Sequence, residues 1–208
     1  DLWVAYALLE AARVWNVPQY RADAQLMLAN VEKTLIVHVP GLGKMLLPGP
    51  VGYSYPDGLW RFNPSYQVLA QLRRFHKERP NGGWNDVAES NAKMLADTKS
   101  NPHGIAANWV GYRATSANAG MFVVDPYSDD LGSYDAIRTY LWAGMTAKAD
   151  PLAAPMLKAL GGFSRATAAS PSGLPPEKIH VLTGDTENNN GFSPLGFSAS
   201  ALVFFQAR

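Results

Sequence analysis

Residues 2–35 read Leu-Trp-Val-Ala-Tyr-Ala-Leu-Leu-Glu-Ala-Ala-Arg-Val-Trp-Asn-Val-Pro-Gln-Tyr-Arg-Ala-Asp-Ala-Gln-Leu-Met-Leu-Ala-Asn-Val-Glu-Lys-Thr-Leu. Val4, Leu8, Ala11, Ala12 and Trp15 recur at helical spacing, with Leu2, Ala5 and Leu9 alongside. That pattern predicts a helix over 2–15 with a broad buried face. Pro18 breaks it, because proline lacks the N–H that a helix interior needs. Ala24, Met27, Leu28, Val31 and Leu35 form a second stripe, with Asp23, Asn30 and Lys33 off it, which predicts a helix over 19–35. Two amphipathic helices joined by so short a break make a helical hairpin.

The motif recurs along the chain. Asn63-Pro64 opens a helix running to about Lys77, with Asn as N-cap and Pro at the first helical position. The turn Pro80-Asn81-Gly82-Gly83 leads to another over 84–98. Further helices are expected over 133–148, 151–160 and 194–206. Between them lie long connections. Residues 36–60 are punctuated by Gly and Pro and accommodate one or two short hairpin strands. Short strands are also expected over 108–113, 120–124 and 178–182. No alternation of strands with helices appears, so a doubly wound sheet is excluded. An all-α toroid of helical hairpins fits, with its long loops on one face.

Composition excludes several functions. The formal net charge is +1 and no Lys/Arg run exceeds a pair such as Arg73-Arg74, so there is no electrostatic footprint for nucleic acid. There is no cysteine, which removes disulfides, thiolate metal sites and thiol nucleophiles. The four histidines are widely spaced, with no i, i+4 pair, so no metal site is expected. No cofactor is implied either. Gly41-Leu42-Gly43-Lys44 lacks the spacing of a phosphate loop, and Gly196-Phe197-Ser198-Ala199-Ser200 lacks the closing glycine of a nucleophile elbow. The stretches 125–130 and 185–190 match no calcium loop and read as solvated turns. Six Trp and nine Tyr are a generous supply. Their apolar faces and polar edges suit sugar rings, though they serve equally well as core residues.

The chemistry-bearing stretch is Ser133-Tyr134-Asp135-Ala136-Ile137-Arg138-Thr139-Tyr140-Leu141-Trp142. The Ser133 hydroxyl can cap the helix. Asp135 then falls in the first turn, where the positive helix end and Arg138 at i+3 favour an ionised carboxylate. A carboxylate so held between aromatic rings is what a general base in a sugar-cleaving site requires. Acidic residues are also common in first turns for capping alone, so spacing leaves both roles open.

Several segments together decide further. They are residues 1–11, Val39-Pro40-Gly41-Leu42-Gly43-Lys44-Met45-Leu46-Leu47-Pro48-Gly49, Trp60-Arg61-Phe62-Asn63-Pro64-Ser65-Tyr66, Asn108-Trp109-Val110, the decapeptide, Pro175-Pro176-Glu177-Lys178 and Gly196-Phe197-Ser198-Ala199. In this order and spacing the chain resembles glycoside hydrolase family 8, in particular its members encoded with bacterial cellulose synthase. The resemblance implies an (α/α)6 barrel and an endo-β-1,4-glucanase that hydrolyses cellulose with inversion. It implies Asp135 as general base, positioned with its water by Tyr134 and Arg138. It places Asp1, Arg61, Asn63 and Tyr66 along the sugar cleft and makes Trp109 and Trp142 cleft walls. Inverting enzymes pair such a base with a general acid about 6.5–9.5 Å away. The family's acid is a Glu upstream of the position matching Asp1, and Glu10 and Glu89 are unattractive substitutes. Residues 1–208 are accordingly expected to be a single catalytic domain, the middle and C-terminal part of the barrel. A β-1,4-glucan substrate, association with a cellulose synthase complex, no membrane insertion and a periplasmic or secreted location are implied in the same way, although no signal peptide opens these residues. The alternatives are a glucan-binding protein without the acid, or a sibling hydrolase acting on xylan or chitosan.

Overall fold

The computed structural model describes residues 1–187 and 192–208. The Asn188-Asn189-Asn190 run, read above as part of a solvated turn, lies outside the described residues. The first hairpin forms as the sequence dictates: α1 (Leu2–Trp15) and α2 (Pro18–Thr34) pack against each other. They are joined through Asn16, whose left-handed φ of 54° ends α1. Pro18 is the first residue of α2, where its missing N–H costs nothing. The buried side of α1 is narrower than its apolar stripe. Ala5 and Leu9 are buried, whereas Val4 and Trp15 are 53% and 67% exposed. Among the described residues α1 packs chiefly on α2 and α3, which cover only one side of it.

After α2 the chain enters a hairpin of β1 (Ile36–Val39) and β2 (Gly43–Leu46). Its turn needs a glycine at 41, where φ is 75° and a Cβ would lie 2.6 Å from the Ala119 backbone. The strand β3 (Leu59–Phe62) then leads into α3 (Leu69–Glu78) and α4 (Trp84–Ala96). The helix expected from Asn63 to Lys77 is in fact two pieces. Asn63 caps a 3-10 turn, Pro64–Tyr66, and the backbone is extended at Val68 before α3 begins.

β3, β4 (Val110–Ser116) and β5 (Ala119–Val124) form a three-stranded antiparallel sheet. Its register aligns Phe62, Val110 and Val124 across one end. The residues next beyond that end are Asn63, Trp109 and Asp125, so the sheet gathers three distant segments at one place. A smaller ladder joins β6 (Leu131–Gly132) to β7 (Ile179–His180).

The remaining helices are α5 (Ala136–Met145), α6 (Ala153–Ala159), α7 (Gly161–Ala169) and α8 (Leu195–Ala207). No helix is expected over 161–169, yet α7 forms there. Glycine is needed there for contact: a Cβ on Gly162 would lie 1.9 Å from the His103 carbonyl oxygen, and Gly162 N–H donates to Gly104 O at 3.0 Å. The main core runs from Leu9 and Leu28 through Phe75 and Trp84 to Tyr140, Phe163 and Phe204. A second cluster around Met45, Phe62 and Tyr112 supports the sheet. No helix among the described residues is long and apolar enough to cross a membrane.

Candidate active site

Asp135 sits in the turn that leads into α5, and its carboxylate is not used for capping. The expected cap by Ser133 does not form; the Ser133 hydroxyl is buried and has no partner among the described residues. Asn108 takes the role. Its Oδ1 accepts from Ser133 N–H at 2.9 Å and from Ala136 N–H at 3.0 Å. The Asp135 carboxylate is therefore free to face outward. Asn63 Nδ2 donates to its Oδ2 at 3.1 Å, and Arg138 Nη2 to its Oδ1 at 2.5 Å.

These donors are fixed by the 3-10 turn. Asn63 is fully buried, and its Oδ1 accepts from Ser65 N–H at 3.0 Å and from the Ser65 hydroxyl at 2.6 Å. Ser65 Oγ in turn accepts from Arg138 Nη2 at 2.9 Å. Asp135, Asn63, Ser65 and Arg138 thus form a closed ring of hydrogen bonds. The indole of Trp142, two turns along α5, donates to Ser65 O at 2.9 Å and locks the turn to the helix. The carboxylate keeps access to solvent, with 31% of the side chain exposed.

A cavity of about 330 Å³ opens beside this ring. Asp1, Trp3, Tyr66, Arg138 and Trp142 line it, as does Gln71, whose buried amide nitrogen has no partner among the described residues. Trp3 and Trp142 lie 5.4 Å apart in a tilted pair. Tyr66 also meets Trp109 edge to face at 6.2 Å, and Trp109 stacks parallel to Tyr53 at 5.8 Å. Tyr66, Trp109 and Tyr53 thereby make an aromatic wall that meets the cavity at Tyr66, and Trp142 lines the same cavity.

Arg61 packs on the Trp109 ring of that wall. Its charge is taken up by Asp125, which is fully buried and receives Nε at 2.6 Å and Nη2 at 2.8 Å, with Ser128 Oγ adding a third bond at 2.8 Å. The guanidinium sits over Trp109 at 5.1 Å and Tyr127 at 4.7 Å. The hydrogen bond to Asp125 drives its pKa above the usual arginine range, against the effect of burial. Asp125 and Asp130 were expected in a solvated turn. Instead, Asp125 is buried under Arg61, and Asp130 is paired with His180 at 2.8 Å.

Tyr134 turns away from Asp135. Its hydroxyl donates to Glu177, which raises the phenol's pKa, and its ring meets Phe197 edge to face at 5.1 Å. It touches the ring of bonds only through its carbonyl, which accepts from Arg138 Nη1 at 3.4 Å. Of the residues singled out from sequence, Asn63, Asp135 and Arg138 meet directly. Asp1, Tyr66 and Trp142 border the cavity, Trp109 extends the wall, and Arg61 and Tyr134 act at one remove. Ser65, Asn108, Asp125 and Glu177 were not singled out. Three of them stand in segments that carry the family resemblance, and Asp125 has no local signal at all. Among the described residues no cluster of three or more His, Asp or Glu side chains could hold a metal ion.

An outward carboxylate held by an amide and a guanidinium, beside stacked aromatic rings, is a form suited to carbohydrate chemistry. The model of the family described as Glycosyl hydrolases family 8 matches residues 1–208. The chain belongs to glycosyl hydrolase family 8. It is 83% identical to an endoglucanase of Pseudomonas fluorescens (strain SBW25), over all of this chain and 52% of that protein. It is 39% identical to an endoglucanase of Escherichia coli (strain K12), over all of this chain and 53% of that protein. The solved endo-1,4-D-glucanase of Vibrio fischeri ES114 superposes with a TM-score of 0.87 at 35% identity, over all of this chain and 57% of that one. The chain spans about half the length of the curated relatives it matches. Its helical pairs and loop-borne strands have the (α/α)6-barrel fold of this family.

Proposed function

We propose that the protein is an endo-acting hydrolase of β-1,4-glucan, with cellulose as substrate, and that it cleaves with inversion of configuration. The observation that carries this reading is the hydrogen-bonded, solvent-accessible Asp135 carboxylate, tied through Arg138 and Ser65 to the cavity that Trp142 and Tyr66 line. In the reaction Asp135 is the general base. It takes a proton from a water on the face of the sugar opposite the leaving oxygen, and the oxygen of that water bonds to the anomeric carbon as the glycosidic bond breaks. Asn63 and Arg138 hold the carboxylate in one orientation, so the water is aimed rather than merely bound. A second carboxyl must protonate the leaving oxygen. On this reading it is a Glu belonging to a segment that precedes Asp1, and the two carboxyls stand far enough apart to admit the water. The aromatic wall supplies flat apolar faces for successive sugar rings. A polymer of this size is met outside the cytoplasm, so we further propose a periplasmic or secreted location and work beside a cellulose synthase complex.

The test uses the intact protein with carboxymethylcellulose, xylan and chitosan as parallel substrates, reading new reducing ends and the anomer first released. The expected result is release from carboxymethylcellulose with the inverted anomer. Asp135→Asn should lower kcat by about 10²–10⁴-fold, the usual contribution of a general base, while glucan binding persists. Undiminished turnover in that variant would overturn the assignment. Binding without any turnover by the parent protein would mark a glucan-binding protein instead.

A further inference from the structure

The Asp135 carboxylate has a competitor for its attention. It lies in the first turn of a helix, where unpartnered backbone N–H groups attract any nearby acceptor, and an acidic side chain there ordinarily turns back to satisfy them. A carboxylate so occupied cannot also face a substrate water. Here the amides that a residue at this place would ordinarily hold go to backbone carbonyls, Ile137 N–H to Ser133 O at 2.9 Å and Arg138 N–H to Asp135 O at 3.2 Å, and the two amides that flank Asp135, those of Ser133 and Ala136, go to Asn108. Asn108, 25 residues before Ser133 and 28 before Ala136, reaches across and accepts from both with one oxygen. Asn108 is itself anchored, since its own N–H donates to Leu131 O at 2.8 Å, one residue before the glycine that leads into Ser133. The hydroxyl that could have done this locally, Ser133 Oγ, is buried and has no partner among the described residues.

We infer that Asn108 is a positioning residue for the base: by holding the Ser133 and Ala136 amides on either side of it, Asn108 pins the turn that aims the Asp135 carboxylate at Asn63 and Arg138. This rests on the reading of Asp135 as general base. Asn108 does not touch the carboxylate; it acts through the backbone on either side of Asp135. The adjacent Trp109 belongs to the aromatic wall, so one two-residue step sets both the base and the sugar platform. Without the cap, the two amides that flank Asp135 lose the acceptor that pins them to the 108–109 segment, and the turn is free to carry the carboxylate away from Asn63. A displacement of about 1 Å at a reacting group can cost about 10²-fold in rate.

The experiment compares Asn108→Leu, Asn108→Asp and Asp135→Asn in the intact protein. Leucine keeps the volume and removes the acceptor; aspartate keeps the acceptor. For Asn108→Leu the expected outcome is a fall in kcat of about 10²-fold with KM changed less than about twofold. Asn108→Asp should recover most of the lost kcat. Should Asn108→Leu fail to fold, Asn108→Ser, too short to reach both amides, is read the same way. Parent-like kcat in the Leu or Ser variant overturns the inference, as does a loss matched by an equal loss of folded protein or one that Asn108→Asp does not recover. If Asp135→Asn is inactive while Asn108→Leu is normal, only the positioning role fails. If Asp135→Asn stays active, the general-base reading fails and this inference with it.

Discussion

Asp125→Asn isolates the part of the site that the sequence conceals. The substitution conserves volume and removes one charge. In the structure Asp125 is fully buried, and Arg61 has 15% of its side chain exposed. The carboxylate accepts two bonds from the guanidinium and one from Ser128. Removing one partner of such a pair leaves a largely desolvated charge, which typically costs about 3–5 kcal/mol. Asparagine keeps one acceptor oxygen, so the lower end applies, about 3 kcal/mol. Urea unfolding followed by fluorescence reads this directly. Replacing both partners by apolar residues, Arg61→Met with Asp125→Leu, should cost less than Asp125→Asn alone, since no charge is then stranded. Kinetics should separate the pair from the base. Neither Arg61 nor Asp125 bonds to Asp135, whereas Arg61 supports Trp109 at 5.1 Å. KM for glucan should therefore rise more than kcat falls. A loss below about 1 kcal/mol, or a double variant as unstable as the two singles combined, would refute the stranded-charge account.

Two further outcomes follow from buried and titrating groups. Tyr140→Phe keeps the ring stacked on Phe163 at 3.9 Å but removes the acceptor of Ala106 N–H at 2.8 Å. It should cost about 1–3 kcal/mol in urea unfolding, the penalty of an orphaned buried amide, and a neutral result would mean another acceptor moves in. His180 is hydrogen-bonded to Asp130, which raises its pKa against the effect of burial; Glu187 and Asp185 add to the rise. A raised folded-state pKa stabilises fully below the unfolded value of about 6.5 and loses that contribution as pH climbs through the folded value. Stability should thus decline through neutral pH, and the decline should shrink in Asp130→Asn. The His180 ring shifts, followed by NMR, check both the direction and the partner.

Much of the fold was legible because helices announce themselves locally. The apolar stripe of α2, the proline at its start and the Gly-Gly turn before α4 each act within a few residues. The errors arose where a distant contact overruled a local signal. No helix is expected directly after residue 160, yet α7 begins at Gly161, where the glycines admit the 103–104 backbone. Ser133 looks like a cap, yet Asn108 occupies the amide it was expected to hold. Asp125 looks like a solvated turn residue, yet the end of the sheet folds it under Arg61.

The same division runs through the site. The sequence by itself determined the pairing of Asp135 with Arg138, since i, i+3 neighbours on a helical turn meet whatever else the chain does. It also determined the helical hairpins that carry them. Only the tertiary structure decided which way the carboxylate faces. Asn63, Ser65 and Asn108 come from segments 25 to 73 residues away, brought in by strand register and by the 3-10 turn. A hydrogen bond is directional and short-ranged, so its partner is chosen by where loops come to rest after the core has packed. A single helical pattern cannot specify that.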